Sequence, residues 1–108
     1  MKKQFILTNQ VAKFVETLTE DSQNKYQVIV DRLEEDGYLV EPFGKKLKSE
    51  KNLFEIRIMT GENARIIYCY DDGDYIFGVH GFIKKDQKTP KKEIEKAKKA
   101  IRKILNSP

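Results

Sequence analysis

The side chains in this sequence best equipped for chemistry are cations. His80, the single histidine, opens the string HGFIKKDQKTP, where Lys84 and Lys85 stand side by side and Lys88 follows. From Lys84 to Lys103 there are ten Lys or Arg against three Asp or Glu, a net +7 in a protein whose total is +4, so the remainder is net −3. Segregation of this kind marks a local surface for a polyanion, because the same excess scattered evenly would serve only solubility. Upstream, Arg65 interrupts the otherwise apolar run ARIIYCY, where a guanidinium without a partner is costly. Such cations can hold a phosphate and stabilise the added negative charge of a phosphorane-like transition state. A lysine crowded by other cations has its pKa pushed down, which would let Lys84 or Lys85 exchange a proton near neutral pH. RNA strand cleavage by attack of a 2′-hydroxyl on its own phosphate needs base, acid and charge stabilisation, but neither a metal nor a water nucleophile.

Other chemistries lack their residues. One histidine excludes a two-histidine acid–base ribonuclease and argues against a His-rich metal site. There is no Gly-rich phosphate loop of the Walker or dinucleotide type, and no Ser-His-Asp set around His80. Cys69 is the only cysteine, so no disulfide framework or metal-type cysteine pair can form, and it reads as a small buried hydrophobe. No metal or cofactor is expected. No apolar run approaches the ~20 residues of a membrane span, and Met1-Lys2-Lys3 leads into too short an apolar stretch for a signal-peptide core. With no cysteine framework either, a cytoplasmic protein with no membrane partner is expected.

The elements that must position these cations can be read from periodicity. At 108 residues, 39% hydrophobic, with five Tyr and six Phe, the chain suits one domain spanning 1–108. Gln4 to Thr8 could form a short first strand. Thr8 or Asn9 can cap a helix with apolar positions Val11, Phe14, Val15 and Leu18. After Thr19-Glu20-Asp21 a second helix repeats the spacing with Tyr26, Ile29, Val30 and Leu33, and Gly37 sits where a left-handed cap belongs. The two should pack as an antiparallel hairpin. Pro42 and Gly44 then break regular structure, and Lys45, Lys46, Lys48 and Lys51 make a second basic cluster.

Three strand-like runs follow: Leu53 to Met59, Ala64 to Asp71 and Asp74 to Phe82. Asp72-Gly73 predicts a two-residue turn of the type that needs positive φ at both central positions. That register pairs Tyr70 with Tyr75, Tyr68 with Phe77 and Ile66 with Val79 on a core face. It pairs Cys69 with Ile76, Ile67 with Gly78 and Arg65 with His80 on the other, so Arg65, His80 and the lysines should converge. The loop Thr60 to Asn63 can be counted as three, four or five residues, which leaves the face of Arg57 open. Near the C-terminus Thr89 should cap a helix with Pro90 at its first position. Ile94, Ala97, Ile101, Ile104 and Leu105 form its docked stripe, with lysines mostly on the other faces. The expected class is α+β.

LFEIRI at 53–58, ARIIYCY at 64–70 and, most specifically, HGFIKKDQKTPKKEIEKA at 80–97 resemble the phage-derived, HigB-like branch of the RelE/ParE toxin superfamily. The likeness covers nearly the whole chain. It implies an N-terminal helical hairpin packed on a small antiparallel twisted sheet, with a C-terminal basic helix. It also implies the toxin of a type II toxin–antitoxin pair, usually a metal-independent endoribonuclease that cuts ribosome-bound messenger RNA. By matching motifs, Arg57, Arg65, Lys84 and Lys85 would be catalytic. The RNA backbone would be tracked by Lys45, Lys46, Lys48, His80, Lys88, Lys91 and Lys92. Phe54 stands where the family often has Trp or Tyr. The implied partners are messenger RNA, the ribosome and a cognate antitoxin, often a helix-turn-helix protein. The superfamily also includes gyrase-poisoning relatives, so gyrase inhibition and a non-catalytic phage-derived regulator are the alternative functions on this fold.

Overall fold

A computed structural model describes residues 2–85 and 89–106. Along the chain run β1 (Gln4–Leu7), α1 (Asn9–Glu16), α2 (Glu20–Asp36), β2 (Gly44–Lys46), β3 (Phe54–Ile58), β4 (Ala64–Tyr70), β5 (Tyr75–Ile83) and α3 (Lys91–Leu105). The strands form one sheet in the order β1-β5-β4-β3-β2. Strands β2 to β5 are antiparallel to their neighbours, as expected, and β1 adds a parallel edge against β5. That edge is closed by Glu34 of α2. Its carbonyl accepts from Lys3 N–H at 2.8 Å and its carboxylate from Phe5 N–H at 2.7 Å.

The helix boundaries follow their caps. Thr8 Oγ1 accepts from Val11 N–H at 3.4 Å and Thr19 Oγ1 from Ser22 N–H at 3.2 Å, each satisfying a donor that has no partner within its helix. Gly37 ends α2 at φ 82°, a left-handed conformation that favours glycine, and its N–H reaches Leu33 O at 2.8 Å. Both helices cover one sheet face. Val11, Leu18, Ile29, Val30 and Leu33 meet Ile56, Ile58, Ile66, Tyr68 and Ile76 there in a buried core. The stripe of α3, with Ile94, Ala97, Ile101 and Ile104, covers the other face against Leu53, Ile67, Val79 and Phe82. Each fully buried isoleucine in these layers contributes roughly 1.5–3 kcal/mol relative to exposure. Cys69 belongs to the second core, and burial pushes its thiol up to about 11, with Asp71 adding to the shift.

Three local readings are corrected. The β4–β5 connection is a three-residue loop, with Tyr70 opposite Ile76 and Asp71 N–H bonded to Tyr75 O at 3.1 Å. The Asp71 carboxylate holds it by accepting from Gly73 N–H at 2.8 Å and Tyr75 N–H at 3.1 Å. Gly73 has no positive φ; among the described residues only Gly37 and Asn63 do. A side chain thus replaces the two-residue backbone turn, and the one-residue change carries Phe77 and Val79 from the expected core face to the α3 face. Beyond it a bulge shifts the register again, so His80 lies opposite Ile67 and Arg65 opposite Phe82. At α3 the cap is Pro90, which has no polar side chain to make a cap bond, and the Thr89 hydroxyl donates instead to Glu55.

Candidate functional site

The loop after β3 holds five residues, since Ile58 lies opposite Ala64. This settles the face of Arg57. Arg57 is directly opposite Arg65, and two residues earlier Glu55 shares their face and is itself opposite Lys45 of β2. Two guanidiniums at opposed positions of an antiparallel pair repel one another, so the sheet keeps them only with countercharge. Glu55 supplies part of it. Its Oε1 lies 3.9 Å from Arg65 Nε, with both side chains almost wholly buried. The other carboxylate oxygen accepts the Thr89 hydroxyl at 2.7 Å, and Arg65 Nη1 donates to Ala64 O at 3.1 Å. The Nε atoms of Arg57 and Arg65 are buried and have no hydrogen-bond acceptor. Buried donors normally find one, and here two such atoms belong to arginines at directly opposed strand positions.

Lys84 completes the cleft. Asn63, left-handed at φ 56°, clamps its backbone: Lys84 N–H donates to Asn63 O at 3.1 Å and Asn63 Nδ2 donates to Lys84 O at 3.0 Å. Partial burial lowers the Lys84 pKa; Glu55 opposes that shift, and Arg65, Arg57 and Lys45 reinforce it. Burial also lowers the pKa of Arg65, against the pull of Glu55 and with the help of Arg57. The cleft measures about 410 Å³, and Lys45, Lys48, Glu55, Arg57, Lys84 and Thr89 are among its walls. Glu55 is its one carboxylate among the described residues.

The expected site residues therefore separate. Arg57, Arg65, Lys84, Lys45 and Lys48 share this cleft or its floor. Lys85 follows Lys84 but is exposed. Lys46 lies at the rim, donates to Glu50 O at 2.8 Å and sits 6.0 Å from the centre of the Phe54 ring. His80 does not join the group: its Nε2 is 2.7 Å from Glu93 Oε1 and its ring stacks on Phe82. It lines a neighbouring groove of about 700 Å³ between the start of α1 and α3, with Lys96 and Lys99. Lys91 and Lys92 are exposed in the first turn of α3, and Lys88 lies outside the described residues. Sequence reasoning missed Glu55, Thr89 and Asn63. The first had a signal, since a carboxylate two residues before Arg57 in a strand must share its face.

Arg57, Arg65, Lys84, Lys45 and Lys48 give the cleft the charge and the N–H donors that an anionic group such as a phosphate requires. Among the described residues no helix is long and apolar enough to cross a membrane. The model of a protein family described as phage-derived protein Gp49-like (DUF891) matches residues 13–102, which includes every residue of the cleft. No curated protein matches the sequence.

Proposed function

Because the chain belongs to the phage-derived Gp49-like family, we propose that it is the toxin of a toxin–antitoxin pair and a metal-independent endoribonuclease acting on ribosome-bound messenger RNA. The observation that carries this reading is the opposition of Arg57 and Arg65, with an unsatisfied buried Nε on each. Such a pair has the charge and the donors to hold the scissile phosphate. Their N–H groups stabilise the phosphorane as the 2′-oxygen bonds to phosphorus and the bond to the 5′-oxygen breaks, leaving a cyclic phosphate and a 5′-hydroxyl. Lys84, with its lowered pKa, exchanges the proton that leaves the 2′-hydroxyl or arrives on the 5′-oxygen. Lys45 and Lys48 hold the flanking backbone, and exposed Lys85, Lys91 and Lys92 extend the basic track. The partner is an antitoxin, with a helix-turn-helix protein as the form suggested by the HigB-like resemblance.

Induction without a partner, followed by sequencing of RNA ends, tests the proposal. Growth should stop as new 5′-hydroxyl ends accumulate in messages. Arg57→Ala, which leaves the Glu55–Arg65 pair in place, should lower cleavage on the order of a hundredfold or more, and Arg65→Ala should relieve both effects. Arrest with intact messages overturns the nuclease reading, and DNA breaks under the same conditions would assign the toxicity to gyrase.

A further inference from the structure

The arginine pair belongs to a longer row. Arg57 N–H donates to Phe43 O at 2.9 Å, which sets residue 43 beside Arg57 just as β4 sets Arg65 on its other side. Arg65 in turn lies opposite Phe82. Across the sheet the order is Phe43, Arg57, Arg65, Phe82, two cations between two aromatic rings. The rings differ in their surroundings: Phe82 is 7% exposed and stacked on His80, whereas Phe43 is 42% exposed. A Cβ on Gly44 would stand 2.6 Å from Leu39 Cβ, toward the first core, so its strand neighbour Lys45 falls on the opposite face, where it meets Glu55, and Phe43 stands in the turn that leads into this strand, tied to Arg57 through its carbonyl.

We infer that Phe43 is a stacking platform for a nucleobase whose phosphate is held by Arg57 and Arg65, an inference that rests on the proposed RNA-binding role of the cleft. Neighbouring strands lie about 4.8 Å apart, a step comparable to the sugar that separates a phosphate from its base. A nucleotide anchored at Arg57 can therefore lay its base over the adjacent ring. Phenylalanine has no polar group with which to read a base edge, so the ligand class is single-stranded RNA without a base preference at this position. Phe43 then supplies affinity and leaves sequence choice to other contacts.

Tyr38 and Val40, each 60% exposed in the same connection, define the competing role, a docking patch for a protein. The experiment uses the full chain and a short 2′-O-methyl oligonucleotide, which cannot be cleaved, alongside an abasic oligonucleotide of equal length. Phe43→Ala should weaken binding of the base-containing probe roughly five- to a hundredfold and leave the abasic probe unaffected. The sequence has no tryptophan, so Phe43→Trp provides a single reporter, and its emission should change with the base-containing probe only. If Arg57→Ala weakens both probes while Phe43→Ala weakens neither, the stacking role is overturned and RNA binding survives. If neither probe binds the wild-type chain, both readings fall. Loss of partner binding in Phe43→Ala with probe affinity intact overturns stacking in favour of a protein interface.

Discussion

Glu55 sets the electrostatics of the cleft. It is the countercharge for Arg65, both are almost wholly buried, and Thr89 satisfies its second oxygen. Glu55→Gln should therefore destabilise the fold by about 3–5 kcal/mol, because it leaves a buried guanidinium opposite a second one; urea denaturation measures this. In the proposed reaction Lys84 has the complementary role, that of the group that exchanges a proton. Its folded pKa lies below the ordinary 10.5, so the fold binds this proton more weakly than the unfolded chain does. Charged Lys84 thus costs stability below its folded pKa, and that cost fades as pH rises through the folded value toward 10.5. If neutral Lys84 accepts the 2′ proton, cleavage should rise as pH approaches the folded value and level off above it. Lys84→Arg, which keeps the charge, should flatten that limb of the pH–rate profile. A limb that persists in the variant would remove Lys84 from proton transfer.

At the scale of elements, β5 does most of the positioning. Its bulge turns Val79 into the second core and His80 toward Glu93, and it brings Phe82 opposite Arg65. Gly81 is needed there because a Cβ would run into the Phe14 ring of α1. Beyond the end of β1, the Gln10 side chain bonds to both Gly81 N–H and Gly81 O, at 2.8 and 3.0 Å. Gly81→Ala should accordingly cost about 1–3 kcal/mol by overpacking. Adding Phe14→Leu should cost less than the sum of the single changes, since both act on one contact; thermal or urea unfolding of the four proteins checks this. The glycine in the HGF string is thus explained by packing, and so is Phe54, whose ring stacks on Tyr68 with centroids 5.5 Å apart.

On the scale of the whole molecule, basic residues from distant parts of the sequence meet on one side. Lys45 and Lys48 precede β3, Lys84 follows β5, and the cleft joins them. Binding of single-stranded RNA should weaken linearly in log–log plots against salt, and Lys45→Gln and Lys48→Gln should each flatten the slope by ~0.7 if each meets one phosphate. A slope unchanged by both would take these lysines out of the interface.

The sequence alone determined the features that depend on near neighbours. The helical stripes apart from exposed Leu105, the Thr8 and Gly37 caps, the strand-rich centre, the α+β class and the basic segregation all arise from residues a few positions apart, and so were legible, whereas the expected Thr89 cap was not formed. The resemblance carried by LFEIRI, ARIIYCY and HGFIKK also singled out Arg57, Arg65, Lys84 and Lys85, of which Lys85 is exposed. Only the tertiary structure decided how they meet. A side-chain-held loop at Asp71, a five-residue loop before Ala64 and one bulge in β5 set the faces and registers of three strands. In a sheet of period two, each one-residue change reverses a face. The burial of Glu55 beside Arg65, the lowered pKa of Lys84 and the turning of His80 to Glu93 follow from that long-range assembly, because desolvation and countercharge depend on what the rest of the chain brings alongside.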